Sequence, residues 1–213
     1  DAHIFCTEAQ IKSVIYEVMD FVDSIMKAFD FNYSIELATK PQKAIGSDEF
    51  WDKATKAIAD ALDEKGMKYD IDEGGGAFYG PKIDVKITDC IGRKWQCGTI
   101  QVDLNLPDRF DINYTDENNQ RVRPVMIHRA IIGSFERFIA ILTEHFGGEF
   151  PFFIAPTQVV VVPISETHIP FAREIQKELV RADISVKVSD KNESLSKKIR
   201  TAEKERVPLI VVI

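Results

Sequence analysis

The chain has 213 residues, 45% apolar and 29% charged, with a net charge of −7. This balance describes a globular protein of one large or two modest domains, and it excludes a global attraction to nucleic acid while leaving room for a local basic face. No apolar run is long enough to span a membrane and no signal peptide opens the chain; Cys6, Cys90 and Cys97 make no even framework, so a reducing, cytoplasmic setting without a membrane partner is expected.

The chain begins at Asp1 in mid-pattern and stops on Val211-Val212-Ile213, a core-strand run, so it reads as part of a longer polypeptide. Asp1-Ala2-His3 precedes a capping box, Thr7-Glu8-Ala9-Gln10. The spacing of His3 and Cys6 suits a metal, but two residues do not make a site. Residues 8–29 read as an amphipathic helix, with Ile11, Ile15, Val18, Met19, Val22, Ile25, Met26 and Phe29 on one face. Tyr33 to Thr39 alternates as a half-buried strand. A second amphipathic helix runs from Asp48 to Gly66 and places Phe50, Trp51, Ala54, Ile58, Ala61 and Leu62 inward.

Asp72-Glu73-Gly74-Gly75-Gly76-Ala77-Phe78-Tyr79-Gly80-Pro81-Lys82 combines glycines, an aromatic and a lysine, as in a backbone that approaches a ligand closely. It is not a P-loop, because Pro81 precedes Lys82 and a strand follows, not a helix. Read as an ordinary hairpin turn, it leaves Tyr79 and Lys82 exposed. Ile83–Ile87 and Trp95–Leu104 read as an antiparallel pair turned by Ile91-Gly92-Arg93-Lys94. Strict alternation puts Trp95, Cys97, Thr99 and Gln101 on one face and Gln96, Ile100, Val102 and Leu104 on the other, unless Gly98 marks a bulge. The polar residues on this strand either meet solvent or line a pocket. Asp108 to Arg121 reads as a polar loop or irregular hairpin.

Pro124 to Ala130 is a short apolar strand ending near His128, bending at Gly133 into a helix capped by Ser134. Phe135, Phe138, Ile139, Leu142 and Phe146 have helical spacing. Arg137 lies in the first turns, where a cation opposes the helix dipole, and an anionic partner such as a phosphate relieves that conflict. Gly147-Gly148-Glu149-Phe150-Pro151 divides the chain. Beyond it, a strand at 158–162, helix 169–182, strand 185–188, helix 194–205 and strand 209–213 give a βαβαβ order and a parallel sheet. Between Asp190 and Arg206, six basic residues against four acids make a local charge of +2. An ordinary solvated helix accounts for that; RNA contact is the alternative.

The glycine-kinked strand–helix with Glu136-Arg137 resembles the third signature motif of class II aminoacyl-tRNA synthetases, and the βαβαβ segment looks like their anticodon-binding domain. More narrowly, Asp1-Ala2-His3-Ile4-Phe5-Cys6, Gly76-Ala77-Phe78-Tyr79-Gly80-Pro81-Lys82-Ile83-Asp84, Trp95-Gln96-Cys97-Gly98-Thr99-Ile100-Gln101 and Val125-Met126-Ile127-His128-Arg129-Ala130 resemble the bacterial type of the threonyl-tRNA synthetase family. The likeness covers nearly the whole chain. The fold class expected is α+β then α/β: a partial antiparallel-sheet class II catalytic domain over 1–150, then an anticodon-binding domain with a mixed or parallel sheet over 151–213, incomplete at its C-terminus.

The resemblance implies a Zn²⁺ held by His3, His128 and a cysteine upstream of this chain. It implies contacts of Asp1, Tyr79 and Gln101 with threonine, of Gln96 and Thr99 with the ribose of ATP, and of Arg137, with Ser134 beside it, with the adenine and phosphate tail of ATP, which carries Mg²⁺. Lys82 and Arg137 match catalytic residues, and Asn192 and Arg206 match contacts to the tRNA(Thr) anticodon. A metal suits the task, because coordinating a hydroxyl separates threonine from valine far better than an apolar pocket does. The implied enzyme is a homodimer that activates threonine with ATP and transfers it to tRNA. The first and second class II motifs, an editing domain and the end of the anticodon domain are not in this sequence, so residues 1–213 alone are expected to be inactive. Two alternatives stand beside it. One is a related synthetase for proline, glycine, serine or histidine, against which His3 and His128 argue. The other is a catalytically dead RNA-binding or regulatory paralogue, against which the retained site residues argue.

Overall fold

The computed structural model describes residues 1–103 and 105–213; the sequence reading that carries the strand and its apolar face to Leu104 ends there on a residue outside those described. The chain divides into two compact units, Asp1–Ile141 and Leu142–Ile213.

The first unit is built on a six-stranded sheet of β1 (Ala2–Cys6), β2 (Tyr33–Ala38), β3 (Tyr69–Asp72), β4 (Lys82–Thr88), β5 (Lys94–Asp103) and β8 (Val125–Ala130), in the order β1-β8-β5-β4-β2-β3. All neighbours are antiparallel except β2 and β3. That parallel pair, with α2 (Asp48–Glu64) between its strands, was not read from the sequence, because Tyr69-Asp70-Ile71-Asp72 is too short and polar for a period to register.

Helix α1 (Ile11–Ala28) follows a 3₁₀ turn at Glu8–Gln10, where Thr7 N–H donates to Gln10 Oε1 at 2.9 Å, the reciprocal half of the capping box. It buries Ile11, Ile15, Val18, Met19, Val22 and Met26. Ser47 caps α2 by accepting from Phe50 N–H at 3.2 Å, and all six apolar residues read as its inner face are buried. On the sheet, Ile83, Val85, Ile87, Ile100, Val102 and Ile127 are fully excluded from solvent. Each such isoleucine or valine stabilises the fold by about 1.5–3 kcal/mol. The alternate positions of the same strands are polar, so one face of the sheet forms the core and the other is left for chemistry.

Of the two readings of Asp108 to Arg121, polar loop or irregular hairpin, the hairpin holds: β6 (Tyr114–Thr115) pairs antiparallel with β7 (Arg121–Val122), and a short helix not read from the sequence, α3 (Asn105–Arg109), leads into it. Asp103 Oδ1 accepts from the N–H groups of Asn105 and Leu106 and so starts α3.

Gly133 makes the bend from β8 into α4 (Phe135–Phe146). Its φ is +69°, and a Cβ there would lie 2.8 Å from the carbonyl oxygen of Cys97. The buried stripe of α4 differs from the one read off its spacing: Phe138, Ile141 and Leu142 are inside, whereas Phe135 and Ile139 are exposed. Aromatic packing selects this rotation, since Phe138 meets the edges of Phe29 at 5.4 Å and Phe31 at 5.8 Å.

The second unit holds a three-stranded parallel sheet, β10 (Val186–Val188), β9 (Val159–Val162) and β11 (Leu209–Val212), with β9 in the middle. The unbroken apolar run of β9 reflects burial on both faces. Val159 and Val161 pack with Ala172 of α5 (Ile169–Arg181), and Val160 and Val162 pack with Ala202 of α6 (Leu195–Lys204).

Candidate active site

A single row of side chains crosses the polar face of the first unit's sheet. His3 of β1 stands opposite His128 of β8, His128 opposite Gln101 of β5, and Gln101 opposite Lys82 of β4. Directly opposed residues of antiparallel strands share a face, so four residues up to 125 positions apart in the chain form one continuous strip. The rings of His3 and His128 meet edge to face with centroids 4.7 Å apart. Tyr79 reaches the same strip from the glycine-rich turn. Its hydroxyl donates to Gln101 Oε1 and its ring lies 6.0 Å from that of His128. Burial pushes the Tyr79 phenol up, with the Asp103 carboxylate adding to it, so it remains a donor at neutral pH. Neither Tyr79 nor Lys82 is an exposed turn residue, as a plain hairpin would have it: both are half-buried.

The glycine turn fits this strip because Gly80 presses against β5. A Cβ at Gly80 would stand 1.7 Å from the carbonyl oxygen of Val102, so no other residue fits there without movement of backbone.

His128 is oriented from behind. Its Nε2 lies 2.8 Å from Oδ2 of Asp103, which is fully buried. A carboxylate only accepts, so Nε2 carries the hydrogen and, in the neutral ring, Nδ1 keeps the lone pair a metal requires. Among the described residues no group of three or more His, Cys, Asp or Glu side chains suited to a metal ion forms. The donor set on this strip is two adjacent imidazoles, one with a carboxylate behind it, and that chemistry fits two ligands of a zinc ion. Cys6 is buried on β1 opposite Val125, and Cys97 is buried within β5. Asp1 precedes β1 and is exposed.

The second cluster adjoins the first. Val85 pairs with Gly98 but Lys86 pairs with Gln96, so Cys97 is an extra residue in a β-bulge. The bulge overturns strict alternation and brings Gln96 to the polar face with Thr99. Both bond to Asp84, which pairs with Thr99 in the ladder and is 3% exposed. Gln96 Nε2 donates to Asp84 Oδ1 at 2.7 Å and to Thr99 Oγ1 at 3.0 Å, and Thr99 Oγ1 donates to Asp84 Oδ1 at 3.2 Å. Lys82 Nζ donates to Asp84 Oδ2 at 2.6 Å. Arg137 joins here, donating through Nη1 to the Gln96 carbonyl at 3.0 Å and lying 5.9 Å from the Trp95 ring. Ser134 Oγ caps its helix by accepting from Arg137 N–H at 3.3 Å. The Trp95 indole is itself held by Asp89, whose Oδ2 it meets at 2.9 Å. Asp84, Asp103 and Asp89 were not read as site-building residues. The one signal lay in Asp84, an acid set between Lys82 and Lys86 at the alternate, polar positions of β4.

In the second unit, Asn192 and Arg206 are both exposed and flank α6 on either side, the ten residues of that helix alone spanning about 15 Å. Arg206 pairs with Glu149 and Lys197 with Glu193, while Lys198 is buried and donates to the Pro163 carbonyl at 2.9 Å, so the local +2 charge is only partly displayed.

Residues 1–146 match the family described as the tRNA synthetase class II core domain (G, H, P, S and T), and residues 158–213 match the anticodon binding domain family. This chain belongs to the class II tRNA synthetases. The class II core therefore accounts for the six-stranded sheet, and the anticodon-binding domain for the parallel one. A threonine–tRNA ligase of Campylobacter jejuni subsp. jejuni is 66% identical over all 213 residues, which make up 35% of that relative, so the chain spans about a third of its length. Among solved structures, the RNA binding domain of threonyl-tRNA synthetase from Cryptosporidium parvum superposes with a TM-score of 0.93 at 40% identity, over 99% of this chain and 53% of that one. A structure described as a putative threonyl-tRNA synthetase from Aeropyrum pernix superposes with a TM-score of 0.80 at 29% identity, over 99% of this chain and 51% of that one.

Proposed function

We propose that this chain is the class II active-site and anticodon-binding segment of a threonine–tRNA ligase. The observation that carries the reading is the strip His3–His128–Gln101–Lys82, with Tyr79 above it, because it sets metal ligands, amide donors and an ammonium side by side. The names and likeness of the relatives support the same reading.

In the proposed reaction the threonine carboxylate attacks the α-phosphate of ATP, giving threonyl-adenylate and pyrophosphate, and a hydroxyl of the terminal ribose of tRNA(Thr) then attacks the threonyl carbonyl, breaking the acyl–phosphate bond and releasing AMP. A Zn²⁺ held by His3, His128 and a cysteine outside this chain would supply a Lewis-acid site for the amino and hydroxyl groups of threonine. Tyr79 occupies Gln101 Oε1, which leaves the Gln101 amide hydrogens for a carboxylate. Lys82 has two further ammonium hydrogens beyond the one on Asp84, a charge suited to neutralising the reacting carboxylate and phosphate. Arg137, poised beside Gln96, offers a planar cation to ATP and its Mg²⁺-bound phosphates. Asp1 would take the threonine hydroxyl hydrogen, and Asn192 and Arg206 would meet anticodon bases on their edges. The enzyme is proposed to work as a cytoplasmic homodimer, and residues 1–213 alone to be inactive and to hold zinc poorly.

The test is amino-acid-dependent ATP–pyrophosphate exchange on a full-length protein carrying this sequence, comparing threonine with serine, valine, proline and glycine, before and after His128→Ala. Exchange specific to threonine that collapses with His128→Ala is expected. No exchange with any amino acid from a folded protein would overturn the reading in favour of an RNA-binding paralogue.

A further inference from the structure

His3, His128, Gln101 and Lys82 are held in place by the register of paired strands, but Tyr79 is not on a strand. It follows Gly74-Gly75-Gly76, the kind of backbone with the most conformational freedom to lose. Its position is set from outside the turn, by two ties. The first comes from Thr39, just past the end of β2. The Thr39 carbonyl accepts from Gly76 N–H at 2.8 Å, and Thr39 Oγ1 accepts from Gly74 N–H at 3.2 Å. A Cβ at Gly76 would stand 2.4 Å from that carbonyl oxygen, so the approach requires glycine. The second tie comes from the loop ahead of α2. Ile45 N–H donates at 2.8 Å to the carbonyl of Phe78, which belongs to the same peptide unit as the nitrogen of Tyr79. Ile45 is in turn held at its own carbonyl by Trp51 of α2, whose Nε1 donates to it at 2.9 Å. Trp51 is 1% exposed, so its indole N–H depends on that acceptor and packing fixes its direction.

We infer that Trp51 and Thr39 are positioning residues for the amino-acid pocket: through Ile45 and the glycine turn they fix the Tyr79 hydroxyl on Gln101. This rests on the reading of Tyr79 and Gln101 as threonine contacts. The tie matters in two ways. A tyrosine at the end of an untied glycine turn has to be ordered each time substrate binds, and that entropy is subtracted from affinity. The Tyr79 hydroxyl also decides which way the Gln101 amide points, because it donates to Oε1 and leaves NH₂ for the ligand. Without that donor the amide is free to flip and set an oxygen against the carboxylate of the amino acid. The residues proposed for ATP take their places from β5 and α4, not from the turn, so a loosened tie acts on one substrate and not on the other.

The experiment is threonine-dependent ATP–pyrophosphate exchange by the full-length protein, with KM for threonine and KM for ATP measured separately in the wild type, Trp51→Phe, Thr39→Val, Thr39→Ser and Ile58→Ala. Trp51→Phe keeps a buried ring and removes only the N–H and part of the volume. It is expected to raise KM for threonine about three- to tenfold, the scale of one lost hydrogen bond, with KM for ATP unchanged. Ile58, fully buried on the same helix, is the control for a merely structural role: Ile58→Ala should lower the melting temperature and leave both KM values as in the wild type. Thr39→Val, close to the same shape without the hydroxyl, should raise KM for threonine about two- to threefold, and Thr39→Ser should restore it. The Thr39 pair decides the matter if Trp51→Phe does not fold. Unchanged KM for threonine in the folded variants, an equal rise for ATP, or the same rise in Ile58→Ala would overturn the inference while leaving the ligase reading in place. A wild type without threonine-dependent exchange would overturn that reading and the inference with it.

Discussion

His3 and His128 face each other across the β1–β8 ladder, although 125 positions separate them in the chain. Their rings touch edge to face, and Asp103 bonds the outer nitrogen of one of them. Neither histidine is placed by a loop; both sit on paired strands whose register is held by a buried apolar face beneath them. A site assembled this way is rigid, and its chemistry depends on the carboxylate behind it as well as on the rings.

Replacing Asp103 by asparagine in the full-length protein should therefore weaken metal retention. Asparagine can still accept from Asn105 and Leu106 N–H, so the start of α3 survives, but the charge that selects the Nε2–H form of His128 is lost. A loss of zinc affinity of about 10–100-fold is expected, as for other partners behind a metal-bound imidazole. Competition with a chelator, with zinc counted by elemental analysis, reads this directly. Unaltered affinity would place Asp103 in a purely structural role.

Ile100 lies on the buried face of β5, one residue from Thr99 and one from Gln101, and is fully excluded from solvent. Ile100→Ala should cost about 2–5 kcal/mol, the sum of lost transfer energy and a partly unrelaxed cavity. Urea unfolding should show the shift in midpoint without a large change in slope.

Gly80→Ala should be disruptive out of proportion to one methyl group. The new carbon would land on the Val102 carbonyl, which belongs to the ladder and cannot swing away as a side chain could. A destabilisation of at least ~1–3 kcal/mol is expected from overpacking. Displacement of Tyr79 from Gln101 should also raise KM for the amino acid more than KM for ATP.

Acid should expose the contribution of Asp89. Burial pushes its carboxyl up, but the hydrogen bonds from the Trp95 indole, the Arg93 side chain and the backbone of Arg93 and Ile91 outweigh that and hold it well below the usual carboxylate range. A carboxyl depressed on folding stabilises the protein above its unfolded value of about 3.9, and that stability is lost as pH falls through the lower folded value. The melting temperature of the wild type should therefore exceed that of Asp89→Asn at pH 5–7, and the gap should close as the pH is taken below about 4. A gap that is constant across that range would show that charge at Asp89 plays no part.

The elements were legible in the sequence because their causes are local. Helices α1 and α2 announced their inner faces by period, Ser134 and the Thr7–Gln10 pair announced helix starts, and the run Val159–Val162 announced a strand buried on two sides. The order of the two domains followed from those elements, and the likeness of several motifs to one family supplied the residues proposed for the site.

Three things were decided only by the tertiary structure. The register across four strands put His3, His128, Gln101 and Lys82 into one row, and pairing register is a property of strands far apart in the chain. The bulge at Cys97 moved Gln96 onto the polar face, against its alternation, because backbone pairing outranks the period of a single strand. Asp84 and Asp103 became organising residues only where burial deprived them of water and left other site residues as their hydrogen-bond donors. Local patterning determined which segments form strands and helices; the shared buried face beneath the sheet decided which polar residues those strands bring together.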